Sequence, residues 1–211
     1  MAMGKGRVEA FSDGVIAIII TIMVLEMKAP HTADWEGVRP LLPVLLSYVL
    51  SFVYVGIFWN NHHHLFQAVK GVEGKTLWAN LHVLFWLSLI PLVTGWMGES
   101  RFAMWPVATY GCVLAMCGVA WQVLVMVLVR EHGPDSALAR SMAAGSVMKG
   151  WASVAMYAIG VGLAFVPGWG AYAACGAFCV VGAVWFVPDR RIERALGEGD
   201  DGGANERSDA R

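Results

Sequence analysis

Four charged side chains bracket the first apolar run of this sequence: Arg7, Glu9 and Asp13 precede it and Glu26 follows it. Between Asp13 and Glu26 the chain reads Gly-Val-Ile-Ala-Ile-Ile-Ile-Thr-Ile-Met-Val-Leu, with Thr21 as its single hydroxyl. An ionised carboxylate at membrane depth costs roughly 2.5–3.5 kcal/mol unless it is paired or hydrated. Asp13 therefore needs donors, and the candidates are Arg7, the amides of the first turns and polar groups of later apolar segments. A plainer reading has Asp13 capping and anchoring the helix at the interface. Both readings stand at this level.

On a helical wheel at 100° per residue, Gly14, Thr21, Ile22 and Leu25 all lie within about 60° of Ile18, whereas Asp13 points about 140° away. The carboxylate and the apolar stripe thus face different neighbours. Isoleucine and leucine at i, i+4 and i+7 ordinarily make a packing or lipid-facing surface. The same face, repeated from several subunits around an axis, would form a hydrophobic constriction that gates a pore by dewetting. Periodicity alone does not choose.

Two further clusters invite chemistry. His62, His63 and His64 are consecutive, so on a helix they diverge by about 100° each and do not converge on one ion, unlike an i, i+4 pair. Hydrogen bonding to neighbouring helices suits Asn60, His62 and His63 better. His82 is a candidate partner for Asp13 or Asn80. No Ser-His-Asp set, HExxH motif or glycine-rich phosphate loop is present, so the chain carries no enzymatic equipment, and no cofactor, metal or nucleic-acid partner is expected.

The elements that must hold these residues follow from composition. The chain of 211 residues is 57% hydrophobic and 15% charged, with mean hydropathy +0.57, against roughly 25% charged in soluble domains. Ten tryptophans suit membrane interfaces. This is an all-α membrane protein embedded in lipid. Six segments, at about 8–28, 41–61, 77–97, 104–129, 145–166 and 169–187, approach the roughly 20 residues a bilayer crossing requires. Pro91 is expected to kink the third. Lys149 should snorkel to the interface, and Gly160 and Gly162, with Ala171, Cys175, Cys179 and Ala183 at i+4 spacing, suit close helix packing. Cys112, Cys117, Cys175 and Cys179 lie in apolar segments and read as small buried residues, with no disulfide framework.

Twelve of the fifteen Lys and Arg residues fall on one side of a six-span arrangement, leaving Lys28, Arg39 and Arg101 on the other. The positive-inside rule makes the first side, with both termini, cytoplasmic. Glu26 and Lys28 sit where a signal-peptide cleavage region should be small and neutral, so the first segment reads as a retained span. Residues 1–190 form one membrane domain, and 191–211 read as a polar, disordered cytoplasmic tail.

Arg7, Phe11, Ser12 and Asp13 make the pattern R-x3-F-S-D, followed by I-x2-T-I-x2-L from Ile18 to Leu25. With Phe58-Trp59-Asn60-Asn61-His62-His63, Trp78-Ala79-Asn80-Leu81 and Pro91, this resembles the cation-channel family of the endosomal and lysosomal potassium channel called transmembrane protein 175 and its prokaryotic relatives. The resemblance spans roughly residues 5–190. It implies a homotetramer in the cell membrane whose first helices line a central pore for permeant K+, with Ile18, Ile22 and Leu25 as the stacked constriction and Ile18 as the principal gate. It implies that Thr21 discriminates potassium from sodium. It also implies a buried hydrogen-bond network drawing on Arg7, Phe11, Ser12, Asp13, Asn60, His62, His63, Asn80 and His82. Ile22 stands where leucine is common in the family. No TVGYG filter is present, so the carbonyl cage of conventional potassium channels is not available. A proton-coupled secondary transporter using Asp13 and Glu26 is the competing reading, weakened by the absence of an inverted repeat; a non-conducting scaffold is a third.

Overall fold

The structure, a computed structural model, describes residues 4–30, 32–69, 71–133, 136, 138–139 and 144–186. The tail assigned to 191–211 lies outside the described residues. The helices are α1 (Lys5–Leu25), α2 (Trp35–Val38), α3 (Leu42–Gln67), α4 (Gly74–Ser88), α5 (Ile90–Glu99), α6 (Met104–His132), α7 (Ala144–Ala164) and α8 (Gly170–Phe186), with a single 3-10 turn at Arg39–Leu41 leading into α3. Among the described residues, five rods are long and apolar enough to cross a membrane: Lys5–Leu25, Trp35–Gln67, Gly74–Glu99, Met104–His132 and Ser146–Ala164. A further apolar helix, α8, is described over 17 residues, about 26 Å at 1.5 Å per residue.

Pro91 shapes the third crossing. It has no amide hydrogen to give the preceding turn, and its ring crowds the carbonyl four residues back. α4 therefore stops at Ser88, the Leu89 amide reaches back to the Trp86 carbonyl at 3.2 Å, and α5 starts at Ile90 with Pro91 in its first turn. The kink expected in the third segment falls at Leu89, where α4 gives way to α5 within the one rod Gly74–Glu99. α5 in turn ends in Arg101 and Phe102, both left-handed with φ of 53° and 61°, held by bonds from their amides to the Gly98 and Met97 carbonyls.

α6 is the central post. Val107, Tyr110, Leu114, Cys117, Ala120, Leu124 and Leu128 are buried along it, and α4 and α7 pack on it most extensively. Phe178 of α8 fills a slot made by absent side chains: a β-carbon at Gly111 of α6 or Gly160 of α7 would lie 2.5 Å from its ring. The Tyr54 hydroxyl of α3 donates to the Phe178 carbonyl at 2.5 Å, joining a third helix to the slot. Gly98 does the same work between α5 and α3, where a β-carbon would stand 2.7 Å from Val44 Cα.

Several expectations need correction. The buried face of α8 is Gly170, Ala174, Phe178, Val181 and Gly182, not the stripe Ala171, Cys175, Cys179 and Ala183 one position along. One large ring seated between glycines outweighs a row of small residues. Gly160 is a packing position, but Gly162 faces open space. All four cysteines are free, yet Cys112 and Cys179 are exposed, because an apolar helix in lipid turns apolar residues outward too. Lys149 places its ammonium 4.4 Å from the Trp185 ring centroid, a cation–π contact.

The first helix and its anchoring network

α1 divides into two faces. Val8, Ser12, Ile16, Ile19 and Met23 are buried against α3, α4 and α5. The opposite face, with Phe11, Gly14, Ile18, Thr21, Ile22 and Leu25, is exposed; Ile18 is 57%, Ile22 39% and Leu25 79% exposed. Arg7, Phe11, Gly14, Ile18, Thr21 and Leu25 recur at alternating spacings of four and three, so all six fall within about 80° on the wheel. The Thr21 hydroxyl donates to the Ile18 carbonyl at 2.9 Å, which leaves its oxygen free to accept on the exposed side.

The buried face is fixed by a polar chain through three helices. Asn80 Nδ2 of α4 donates to Ser12 Oγ at 2.9 Å, and Ser12 Oγ donates to the Val8 carbonyl at 2.8 Å. Asn80 Oδ1 lies 2.8 Å from His62 Nε2 of α3. An amide oxygen only accepts, so His62 carries its proton on Nε2. Its Nδ1 is buried and without a partner. The His62 ring also stacks on Phe66 at 4.5 Å.

Asp13 sits to one side of this chain, where its Oδ1 accepts from Trp59 Nε1 of α3 at 3.0 Å. Trp59 is stacked 6.1 Å from His63, which bonds Gln67 at 2.8 Å. Lys5 reaches the end of α3, with Nζ 3.3 Å from the Phe66 carbonyl and 3.4 Å from that of Gln67. A cation there meets the negative end of the helix dipole.

Of the residues expected to share one network, the structure joins Ser12, Asn80 and His62, and it brings Asp13 and His63 together at Trp59. Arg7 is exposed on the side of Ile18 and makes no side-chain bond among the described residues; eleven residues are close to three whole turns, which returns it to that face. Phe11 and Asn60 are exposed as well. His82 meets neither Asp13 nor Asn80. It lies about 200° round α4 from Asn80, and its Nε2 accepts from Trp86 Nε1 at 2.9 Å.

Sequence reasoning overlooked a second polar cluster. Ser51 Oγ of α3 lies 2.6 Å from Thr94 Oγ1 of α5 and 3.0 Å from the Tyr110 hydroxyl of α6, all buried, while Thr94 also donates to the Ile90 carbonyl. Each residue alone is an ordinary hydroxyl in an apolar run. Only the tertiary fold brings the three together. Beside it, a cavity of about 660 Å³ opens between α1, α3 and α5, bounded by Ile18, Ile22, Glu26, Tyr48, Leu92 and Glu99. At its mouth Lys28 Nζ stands 3.7 Å from Glu99, an exposed pair of little energetic weight. Among the described residues no group of three or more His, Cys, Asp or Glu is placed to hold a metal ion.

A family profile described as endosomal/lysosomal potassium channel TMEM175 matches residues 7–91. A potassium channel of Chryseobacterium sp. (strain P1-3) is 52% identical over 196 residues, covering 93% of this chain and 100% of its own. A potassium channel of Streptomyces collinus is 34% identical over 171 residues, 77% of this chain and 83% of its own. The endosomal/lysosomal proton channel TMEM175 of Homo sapiens is 32% identical over 116 residues, 49% of this chain and 23% of its own. The crystal structure of a lysosomal potassium-selective channel TMEM175 homolog from Chamaesiphon Minutus superposes with a TM-score of 0.73 at 22% identity, covering 87% of this chain and 96% of that one, which is a shared fold.

Proposed function

This chain belongs to the TMEM175 family of ion channels, and from that premise we propose that it is a potassium-preferring leak channel of the cell membrane. As a multi-pass membrane protein it crosses six times within residues 1–190, keeps both termini in the cytoplasm and assembles as a homotetramer with four copies of α1 around the axis. Ile18, Ile22 and Leu25 form the hydrophobic constriction, with Ile18 the principal gate. Thr21, whose oxygen is free to accept, favours K+ over Na+. The observation that carries this reading is the exposure of an unbroken apolar stripe on a helix whose other face is pinned by Ser12–Asn80–His62. A wall presented to ions must be held rigidly from behind.

Substitution Ile18→Asn tests it. Hydrating the constriction should raise K+ flux into liposomes and lower the K+/Na+ permeability ratio in planar-bilayer recording under bi-ionic conditions. Because the vertebrate relatives are named proton channels, the same recording includes a proton gradient. Unchanged flux with lost assembly would reduce the stripe to a packing surface. Saturable uptake of a substrate without channel current would point instead to a transporter working through Asp13 and Glu26.

A further inference from the structure

α6 and α7 are clamped together at one level and flank an open groove beyond it. Gln122 Nε2 of α6 donates to the Val147 carbonyl of α7 at 2.9 Å, and Gly150 permits the approach, since a β-carbon there would lie 2.5 Å from Gln122 Nε2. Past this clamp α6 continues for ten more residues to His132, and α7 is described from Ala144. The two helices border a groove of about 270 Å³ whose wall is Val125, Met126, Val129 and Val147, with Arg130 at its outer end and Trp151 on its flank. Met126, Val147 and Trp151 are 42%, 37% and 46% exposed. Arg130 is exposed and has no acidic partner among the described residues, its neighbour Glu131 being bound by the Thr76 hydroxyl at 2.6 Å.

Depth decides what such a groove receives. With 29 residues, α6 is about 43 Å long and outruns a roughly 30 Å hydrocarbon core, so Arg130, in its last turn, stands at the level of lipid headgroups. A guanidinium fork matches the two oxygens of a phosphate. An apolar trough running inward from a cation that has no acidic partner among the described residues has the layout of a phospholipid.

We propose that this groove seats an anionic glycerophospholipid of the adjoining leaflet. Its phosphate lies on Arg130, and one acyl chain runs inward along Val129, Met126 and Val125 to Val147 and Trp151 at the level of the clamp. Native mass spectrometry of the purified full-length chain tests this, using phosphatidylglycerol and phosphatidylcholine with identical acyl chains. Phosphatidylglycerol should be retained about fivefold better than phosphatidylcholine, the effect of one basic residue at an anionic surface. Arg130→Gln should abolish that preference, while Arg39→Gln, at the opposite end of the helices, should leave it intact. Val147→Trp, which fills the trough, should lower retention of both lipids. Equal retention of the two lipids by the unmodified chain, a preference that survives Arg130→Gln, or retention indifferent to Val147→Trp overturns the assignment. Displacement of phosphatidylglycerol by soluble glycerol phosphate overturns it also, in favour of a plain phosphate site.

Discussion

Replacing Asn80 by Leu would test the anchoring of α1 most directly. Asn80 is 2% exposed and bonds Ser12 on α1 and His62 on α3 from its place on α4. Leu keeps much of the volume and removes both bonds. Interhelical hydrogen bonds within a bilayer average about 0.6 kcal/mol and reach about 1.7, so the two together account for about 1.2 kcal/mol. The larger cost falls on His62: its Nε2 proton, directed at Asn80 Oδ1, is left without an acceptor in a site where Nδ1 is already unpartnered, adding about 1–3 kcal/mol. The expected loss is about 2–4 kcal/mol, read as reversible unfolding in mixed detergent–SDS micelles by tryptophan fluorescence. Ser12→Ala removes one end of the same bond, so the double variant should fall short of additivity by about 0.6–1.7 kcal/mol. A melting curve for Asn80→Leu within about 0.5 kcal/mol of the parent, or deficits that add within about 0.3, would refute the claim that this chain of bonds holds α1 in place.

Three other perturbations follow from the geometry. Gly160→Ala drives a methyl to 2.5 Å from Phe178 and should destabilise by about 1–3 kcal/mol, with partial rescue by Phe178→Leu, measured by the same unfolding assay. Lys5→Met leaves the Phe66 and Gln67 carbonyls without their cation and should cost about 0.3–1 kcal/mol, seen as faster amide exchange in the last turn of α3. Asp34 caps α2, accepting from the Thr32 hydroxyl at 2.7 Å and the Gly37 amide at 3.0 Å, and the Thr32 bond first, then Gly37, holds its carboxyl below the ordinary value. The order it confers is therefore present above the ordinary aspartate pKa and lost as pH falls through the lowered one, which a titration of the Gly37 amide shift would follow.

The two faces of α1 were legible because a helix repeats strictly: Ile18, Thr21, Ile22 and Leu25 share a direction whatever surrounds them. The same arithmetic, applied to Arg7, would have separated it from Ser12 and Asp13, and applied to His82 would have separated it from Asn80. Boundaries were less legible. α1 starts at Lys5 and ends at Leu25 where hydropathy pointed to 8–28, and α3 runs through His62–His64 to Gln67, because polar residues at the interface continue a helix that lipid no longer requires. Pro91 announced the kink, which the structure places at Leu89 between α4 and α5. Ser51, Thr94 and Tyr110 lie 43 and 59 residues apart, and no local pattern marks hydroxyls that meet only after three helices have packed. Trp59 as the partner of Asp13 belongs to the same kind: its indole N–H is a donor on any surface, and only the crossing of α1 and α3 aims it.

The seat of Phe178 bears on how the protein is made. α8 is the last helix to leave the ribosome among those described. Gly111, Gly160 and the Tyr54 hydroxyl, on helices synthesised earlier, form the socket that receives it. Phe178 has a seat only where α6 and α7 stand side by side, so the last described helix is held by the packing of those made before it.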